Sequence, residues 1–247
     1  MVKKQDGFSH LGMIALAVVV LGAIGLAGWK VYGGKNEGNN LSSTSEKSAC
    51  PAQPMLTSPA DLSLATSVLY PGQVRGNDYK AHGGLRFDNS KNHEITVKVP
   101  LEAKLTSGSR YIEQGEIQYL LEFTTACGIK YRFDHLLTLT DKFQKAVNES
   151  LPAAKPDDSR TSDFRPTVDA LKGEPVATAV GFAKTDNVGF DFGVYDMRKD
   201  NGTGGSTDQA RHGVCWLRDW LPPADSAILA ALPGGDSKNG KTSDYCK

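Results

Sequence analysis

Nineteen consecutive residues without a charge, Leu11 to Trp29 (LGMIALAVVVLGAIGLAGW), constrain this chain more than anything else in it. Lys3 and Lys4 precede the run and Lys30 closes it. A helix over it is about 28 Å long at 1.5 Å per residue, close to the ~30 Å hydrocarbon thickness of a bilayer. The expectation is a retained transmembrane helix over residues 11–32, with residues 1–10 as a cytoplasmic tail. The alternatives are a pilin-like leader, which Gly7-Phe8-Ser9 resembles although Gly12 stands where such leaders carry glutamate, and a cleaved signal peptide, whose apolar stretch is shorter, ~7–15 residues, and is followed by a small-residue cleavage site. Gly25-Leu26-Ala27 is a poor match to such a site.

All four cysteines, Cys50, Cys127, Cys215 and Cys246, follow the apolar run, and no C-x-x-C pair points to zinc or a redox motif. An even set in an exported domain favours disulfides over free buried thiols. Three pairings are open. Cys50–Cys127 with Cys215–Cys246 is preferred because it closes the shorter C-terminal loop. Lys3, Lys4 and the α-amino group slightly outweigh Lys30 and Lys35 as a cytoplasmic flank. The expected placement is therefore a single-pass cell-membrane protein, N-terminus inside and main domain outside the cytoplasm. Twenty-eight basic residues balance twenty-eight acidic ones, which argues against nucleic-acid binding through phosphate contacts.

Residues 33–59 read as a flexible Gly/Asn/Ser/Pro linker. Beyond it, Ile95–Val99, Ile117–Phe123, Ile129–Phe133, Val176–Val180 and Gly189–Tyr195 are short, rich in β-branched and aromatic residues, and often alternate apolar with polar. Thr140–Ser150 reads as helix, Leu151–Pro166 as a polar surface loop, and Lys199–Gln209 as a glycine-rich loop. The expectation is a mainly β antiparallel domain over residues 60–200. A small, partly helical C-terminal appendage over 201–247 follows it, with Trp216 and Trp220 on one helical face.

Gly235–Thr242 fits G-x-x-x-x-G-K-[ST], but no strand precedes it and only five residues follow. Nucleotide binding is excluded on that context. The five histidines are His10, His82, His93, His135 and His212. Two have informative surroundings: His82-Gly83-Gly84-Leu85-Arg86-Phe87 and Tyr131-Arg132-Phe133-Asp134-His135-Leu136. Lys172-Gly173-Glu174-Pro175-Val176 and Gly189-Phe190-Asp191-Phe192-Gly193-Val194 follow in order.

This series resembles the lysostaphin-like zinc endopeptidases that cut bacterial peptidoglycan cross-bridges, whose pattern runs H-x-G-x-D, Y-x-H-L, K-G-x-x-I and H-L-H-F-E. The resemblance spans roughly Gly72 to Arg198 and implies a compact antiparallel fold of the duplicated-hybrid-motif type, with a groove across the sheet. Position by position, the family's metal ligands fall on His82, Arg86 and Asp191. Its accessory catalytic histidines fall on Gly189 and His135. Arg86 cannot ligate, because a guanidinium has no lone pair to offer, and a catalytic zinc normally takes three protein ligands. The resemblance therefore implies a pseudoenzyme without metal or other cofactor and with no confident catalytic residue.

Its expected role is to bind peptidoglycan or to regulate a partner hydrolase. Two alternatives stand beside it: an active zinc peptidase with ligands rebuilt from Asp88, His93, Asp134 and His135 around His82, and a structural envelope protein. Tyr131, Phe133, Phe190 and Phe192 are candidate groove residues, at most two of them facing solvent. With the metal gone, an Arg86–Asp191 salt bridge is expected to clamp the vacated site.

Overall fold

The residues that alternate in sequence form the strands of a large sheet in a computed structural model that describes residues Cys50–Lys247. The expected cytoplasmic tail, transmembrane helix and most of the linker lie outside the described residues. No helix among the described residues is long and apolar enough to cross a membrane.

The strands in chain order begin with β1 (Ser67–Leu69), β2 (Gln73–Arg75), β3 (Asp78–Lys80), β4 (Gly83–Arg86) and β5 (Val97–Lys98). Three long strands follow, β6 (Ala103–Glu113), β7 (Glu116–Thr124) and β8 (Ile129–Leu139). Helix α1 (Asp141–Ser150) leads to β9 (Ser162–Ala170), β10 (Pro175–Val180) and β11 (Gly189–Asp196). Three short helices complete the chain: α2 (Asp208–His212), α3 (Trp216–Asp219) and α4 (Pro223–Ala231).

Nine strands make one antiparallel sheet, in the order β1-β4-β11-β8-β7-β6-β9, with β10 pairing β8 and β5. β2 and β3 form a separate hairpin. The β6–β7 turn shows local chemistry fixing register. Gln114 and Gly115 both have positive φ, 51° and 76°, as a two-residue type I′ hairpin demands.

Two strands were not expected. β6 reads AKLTSGSRYIE, too polar to look half-buried, and its Gly108 is required because a Cβ there would lie 2.6 Å from the Leu120 carbonyl oxygen. β9 begins inside the segment read as a loop. It carries Pro166, yet it sits at the end of the strand order, where a missing N–H costs no ladder bond.

Residues directly opposite each other on paired strands share a face of the sheet. On one face Phe123 stacks on Tyr131 (4.9 Å between ring centroids) and Phe133 on Phe192 (5.1 Å). Trp216 meets Phe192 edge-on at 4.8 Å. This corrects the groove assignment, since Tyr131, Phe133, Phe190 and Phe192 are all buried and form the core.

Trp216, Leu217, Trp220, Leu221 and Leu229 belong to the same core cluster, so residues 201–247 share the core of the sheet. The chain just after Cys50 is also fixed. Leu56 is buried and donates its N–H to the Trp220 carbonyl, and Arg198 donates to the carbonyls of Pro51 and Ala52. Disulfides Cys50–Cys127 and Cys215–Cys246 are both formed, in the preferred pairing.

Candidate functional site

The second face of the sheet is lined with polar side chains, and a bulge aims two of them. Tyr119 pairs with Leu136 but Leu121 pairs with Phe133, so β8 carries one extra residue there. His135 takes it up with φ 59°, a left-handed conformation uncommon for a residue with a side chain. The bulge falls where β8 changes partner from β11 to β10. Bulges and strained residues of this kind concentrate at functional sites.

Asp191 lies at the centre. It sits opposite Asp134 on β8 and Gly84 on β4. Gly84 allows the close approach, since a Cβ would lie 2.6 Å from the Phe190 carbonyl oxygen. Gly193, two residues on, makes room for His82, whose Cβ would stand 2.9 Å from a Cβ at that position. His82 Nε2 is 2.8 Å from Asp191 Oδ2, and His135 Nε2 is 3.9 Å from the same oxygen.

Around this trio Tyr111 donates its hydroxyl to Asp134 Oδ1 at 2.7 Å, and Arg132 donates to Asp134 Oδ2 at 2.6 Å. Tyr111 OH also stands 3.5 Å from His135 Nδ1, and Glu113 lies 3.9 Å from that nitrogen. Arg75 donates to the carbonyls of Tyr70 and His82, which fixes the loop entering β4.

Burial pushes the His82 imidazole down from its ordinary range, against the pull of Asp191. Burial alone would raise the Asp191 carboxyl, but His82, with His135 and Arg75, outweighs it and holds the group well below the usual carboxylate range. Both directions describe one state, a neutral imidazole donating Nε2–H to an ionised carboxylate. Burial alone would lower the Arg132 guanidinium, and the Asp134 carboxylate more than reverses that.

The expected clamp is not formed. Arg86 stands opposite Gly189 rather than Asp191. Its guanidinium donates to Asp88 Oδ1 from both Nε (3.2 Å) and an Nη (3.0 Å). The reason is register: Asp88 lies two residues along the same chain, whereas Asp191 sits opposite Gly84, two pairs away from Arg86, and already holds His82.

The structure thus brings His82, His135 and Asp191 together, while the Arg86 guanidinium turns to Asp88. A Cβ at Gly189 would lie 2.9 Å from the Leu85 carbonyl oxygen, so a longer side chain there requires the strands to shift. Of the other candidate ligands, Asp88 is held by Arg86, Asp134 by Arg132 and Tyr111, and His93 is exposed on the turn Asn92–Glu94. Among the described residues, no three His, Cys, Asp or Glu side chains are arranged to hold a metal ion.

Beside the trio lies a small cavity of about 140 Å³, walled by Leu69, Leu85, Phe182 and Phe190 with His135 and Asp191 at its edge. It has room for a short side chain.

Tyr111, Glu113, Arg132 and Arg75 complete the site without having been singled out in the sequence. The one signal for Arg132 was its alternation with Tyr131 and Phe133, which reads equally well as a solvent-facing charge. No family model matches the chain, and neither does any curated protein or solved structure.

Proposed function

We propose that this chain is a membrane-anchored, extracytoplasmic pseudo-peptidase of the lysostaphin-like, duplicated-hybrid-motif type, which binds cell-wall peptidoglycan without hydrolysing it. The observation that carries the reading is the His82–Asp191 hydrogen bond. Two residues at the family's ligand positions meet 2.8 Å apart on adjoining elements, and the third position is Arg86, which has no lone pair to offer and is engaged by Asp88. The mainly antiparallel sheet suits the implied fold. Two disulfides suit a domain outside the cytoplasm.

A polar sheet face with a small apolar recess beside it offers donors and acceptors for peptide amides and room for a short side chain. The test is sedimentation of the full chain with isolated peptidoglycan, with assay of released peptides. Retention on the wall without release supports the reading. No retention, with capture by a purified cell-wall hydrolase, shifts the role to regulation of that partner.

One observation favours a second reading, an active zinc peptidase with rewired ligands: His135 Nε2 faces the same Asp191 oxygen as His82 does. Release of cross-bridge peptides that stops on chelation of zinc would establish it in place of the first.

A further inference from the structure

The recess beside His135 and Asp191 has one wall that the sheet itself does not supply. Phe182 forms it, from the turn over residues 182–187 that joins β10 to β11. Its ring lies against the His135 ring, with centroids 5.0 Å apart. Phe182 is buried, whereas residues 183–186 beyond it are all exposed.

The base of this turn is anchored. Gly181 donates its N–H to the His135 carbonyl at 2.7 Å, and its own carbonyl accepts from Gln118 Nε2 at 3.1 Å. The buried Asn92 donates Nδ2 to the carbonyls of Val180 and Asn187, which gathers both ends of the turn.

The tip is held differently. Residues 183–185 make a single 3-10 turn, and the first N–H groups of any helical turn find no acceptor within it. Glu116, at the start of β7, supplies one. Its Oε2 accepts the Ala183 N–H at 3.0 Å and its Oε1 the Lys184 N–H at 2.5 Å. Lys184 Nζ donates in return to the Gly115 carbonyl at 2.7 Å. Directly opposite Glu116 on the hairpin, Glu113 faces His135 Nδ1 at 3.9 Å. The end of the β6–β7 hairpin therefore touches both sides of the Phe182–His135 contact. Exposed polar contacts of this kind contribute little and open first. An anchored base, a weakly held tip and one buried ring between them make a hinged lid.

We propose that residues 182–187 are a gate over the recess, latched by Glu116, and that Phe182 leaves His135 when the latch opens. Glu116 is a positioning residue: it acts on the recess through Phe182. The open gate admits a short apolar side chain beside Asp191. For its purpose the gate rests on the peptidoglycan-binding reading, but its motion does not depend on that reading.

Residue-resolved amide hydrogen exchange of the full chain, without wall material, tests the gate, so that it and wall binding can fail separately. In wild type the Phe182, Ala183 and Lys184 amides should exchange through one shared local opening that low urea does not accelerate. Gly181 should exchange only as the whole domain unfolds. Glu116→Ala should speed the three gate amides at least about tenfold, through loss of charge-assisted hydrogen bonds. It should also erase the nuclear Overhauser contact between the Phe182 and His135 rings. Glu116→Gln keeps a neutral acceptor and should fall between the two.

Glu116 is partly exposed, so its variants keep the fold, and an unchanged Gly181 amide verifies this. Opening of Ala183 and Lys184 without Phe182 overturns the proposal, since the tip then frays while the recess stays shut. So does an Overhauser contact that survives in Glu116→Ala, or exchange of the gate amides there within about twofold of wild type.

Discussion

The same strands present two unlike faces, one buried throughout and the other half-buried to buried. On one, Phe123, Tyr131, Phe133, Phe190 and Phe192 pack into a core whose one polar group, the Tyr131 hydroxyl, is satisfied by the Leu101 carbonyl. On the other, the intervening residues Glu122, Arg132, Asp134, Asp191 and Tyr195 are paired with some donors and acceptors and denied others. Four of the six buried side-chain atoms without a partner, Ser109 Oγ, Gln118 Oε1, Arg132 Nε and Tyr195 OH, belong to this second face.

An apolar side chain on that face would avoid the desolvation of those groups. Polar groups packed this way weaken the fold unless they serve something else. The comparison teaches that the aromatic face specifies the fold and the polar face is held in place by it. That is the arrangement a rigid binding site requires.

The largest effects come from breaking either face. Phe133→Ala should cost about 3–5 kcal/mol of unfolding free energy by leaving a cavity among stacked rings. Asp134→Ala should cost a similar ~3–5 kcal/mol, because it strands the buried Arg132 and the Tyr111 hydroxyl. Urea unfolding of the two variants checks this, and a loss below about 1 kcal/mol for Asp134→Ala would mean that the polar face is wet and weakly coupled. Gly193→Ala comes next. Its Cβ would stand 2.3 Å from the Tyr195 oxygen and 2.9 Å from His82 Cβ, and such overpacking costs about 1–3 kcal/mol.

Acidification sharpens the comparison further. His82 and Asp191 are both depressed in the folded protein, so the unfolded chain binds more protons than the folded one between each group's two values. Stability is full above the unfolded values, ~6.5 for His and ~3.9 for Asp. It falls as pH drops, first below ~6.5 through His82 and then below ~3.9 through Asp191. Thermal unfolding from pH 8 to 4 should show the first loss in wild type and a shallower slope in His82→Gln. Equal slopes would assign that loss elsewhere.

Much of the aromatic face was legible in sequence. β7, β8, β10 and β11 announce themselves by β-branched and aromatic residues at alternate positions, and α1 by its polar-apolar period. The polar face was not, because Arg132 and Asp134 alternating with aromatics look like the wet side of a half-buried strand. Only the loops folded over that face make it an interior. β9 was hidden by Pro166, which is tolerated because the strand lies at an edge.

His82, His135 and Asp191 were legible from order along the chain. Their partners Tyr111, Glu113 and Arg75 depend on register and on the His135 bulge, which a single sequence does not reveal. The Arg86–Asp191 pairing failed on the same ground, a two-residue offset between neighbouring strands.

The smallest expected effects lie at the ends of the comparison. Tyr195→Phe removes a buried hydroxyl that has no partner and should leave stability unchanged or raise it by up to about 1 kcal/mol. Arg86→Ala should cost no more than about 1 kcal/mol, since the Arg86–Asp88 pair is partly exposed.

The central proposal is that Asp191 holds the His82 imidazole through a proton, at two positions that the resemblance to zinc endopeptidases assigns to metal ligands. Its most direct measurement is the zinc content of the full chain after incubation with excess zinc and removal of unbound ion by gel filtration, in wild type and His82→Ala. The account predicts well under one equivalent in both proteins. One equivalent retained by wild type and lost in His82→Ala would contradict it, and would place a metal where the hydrogen bond stands.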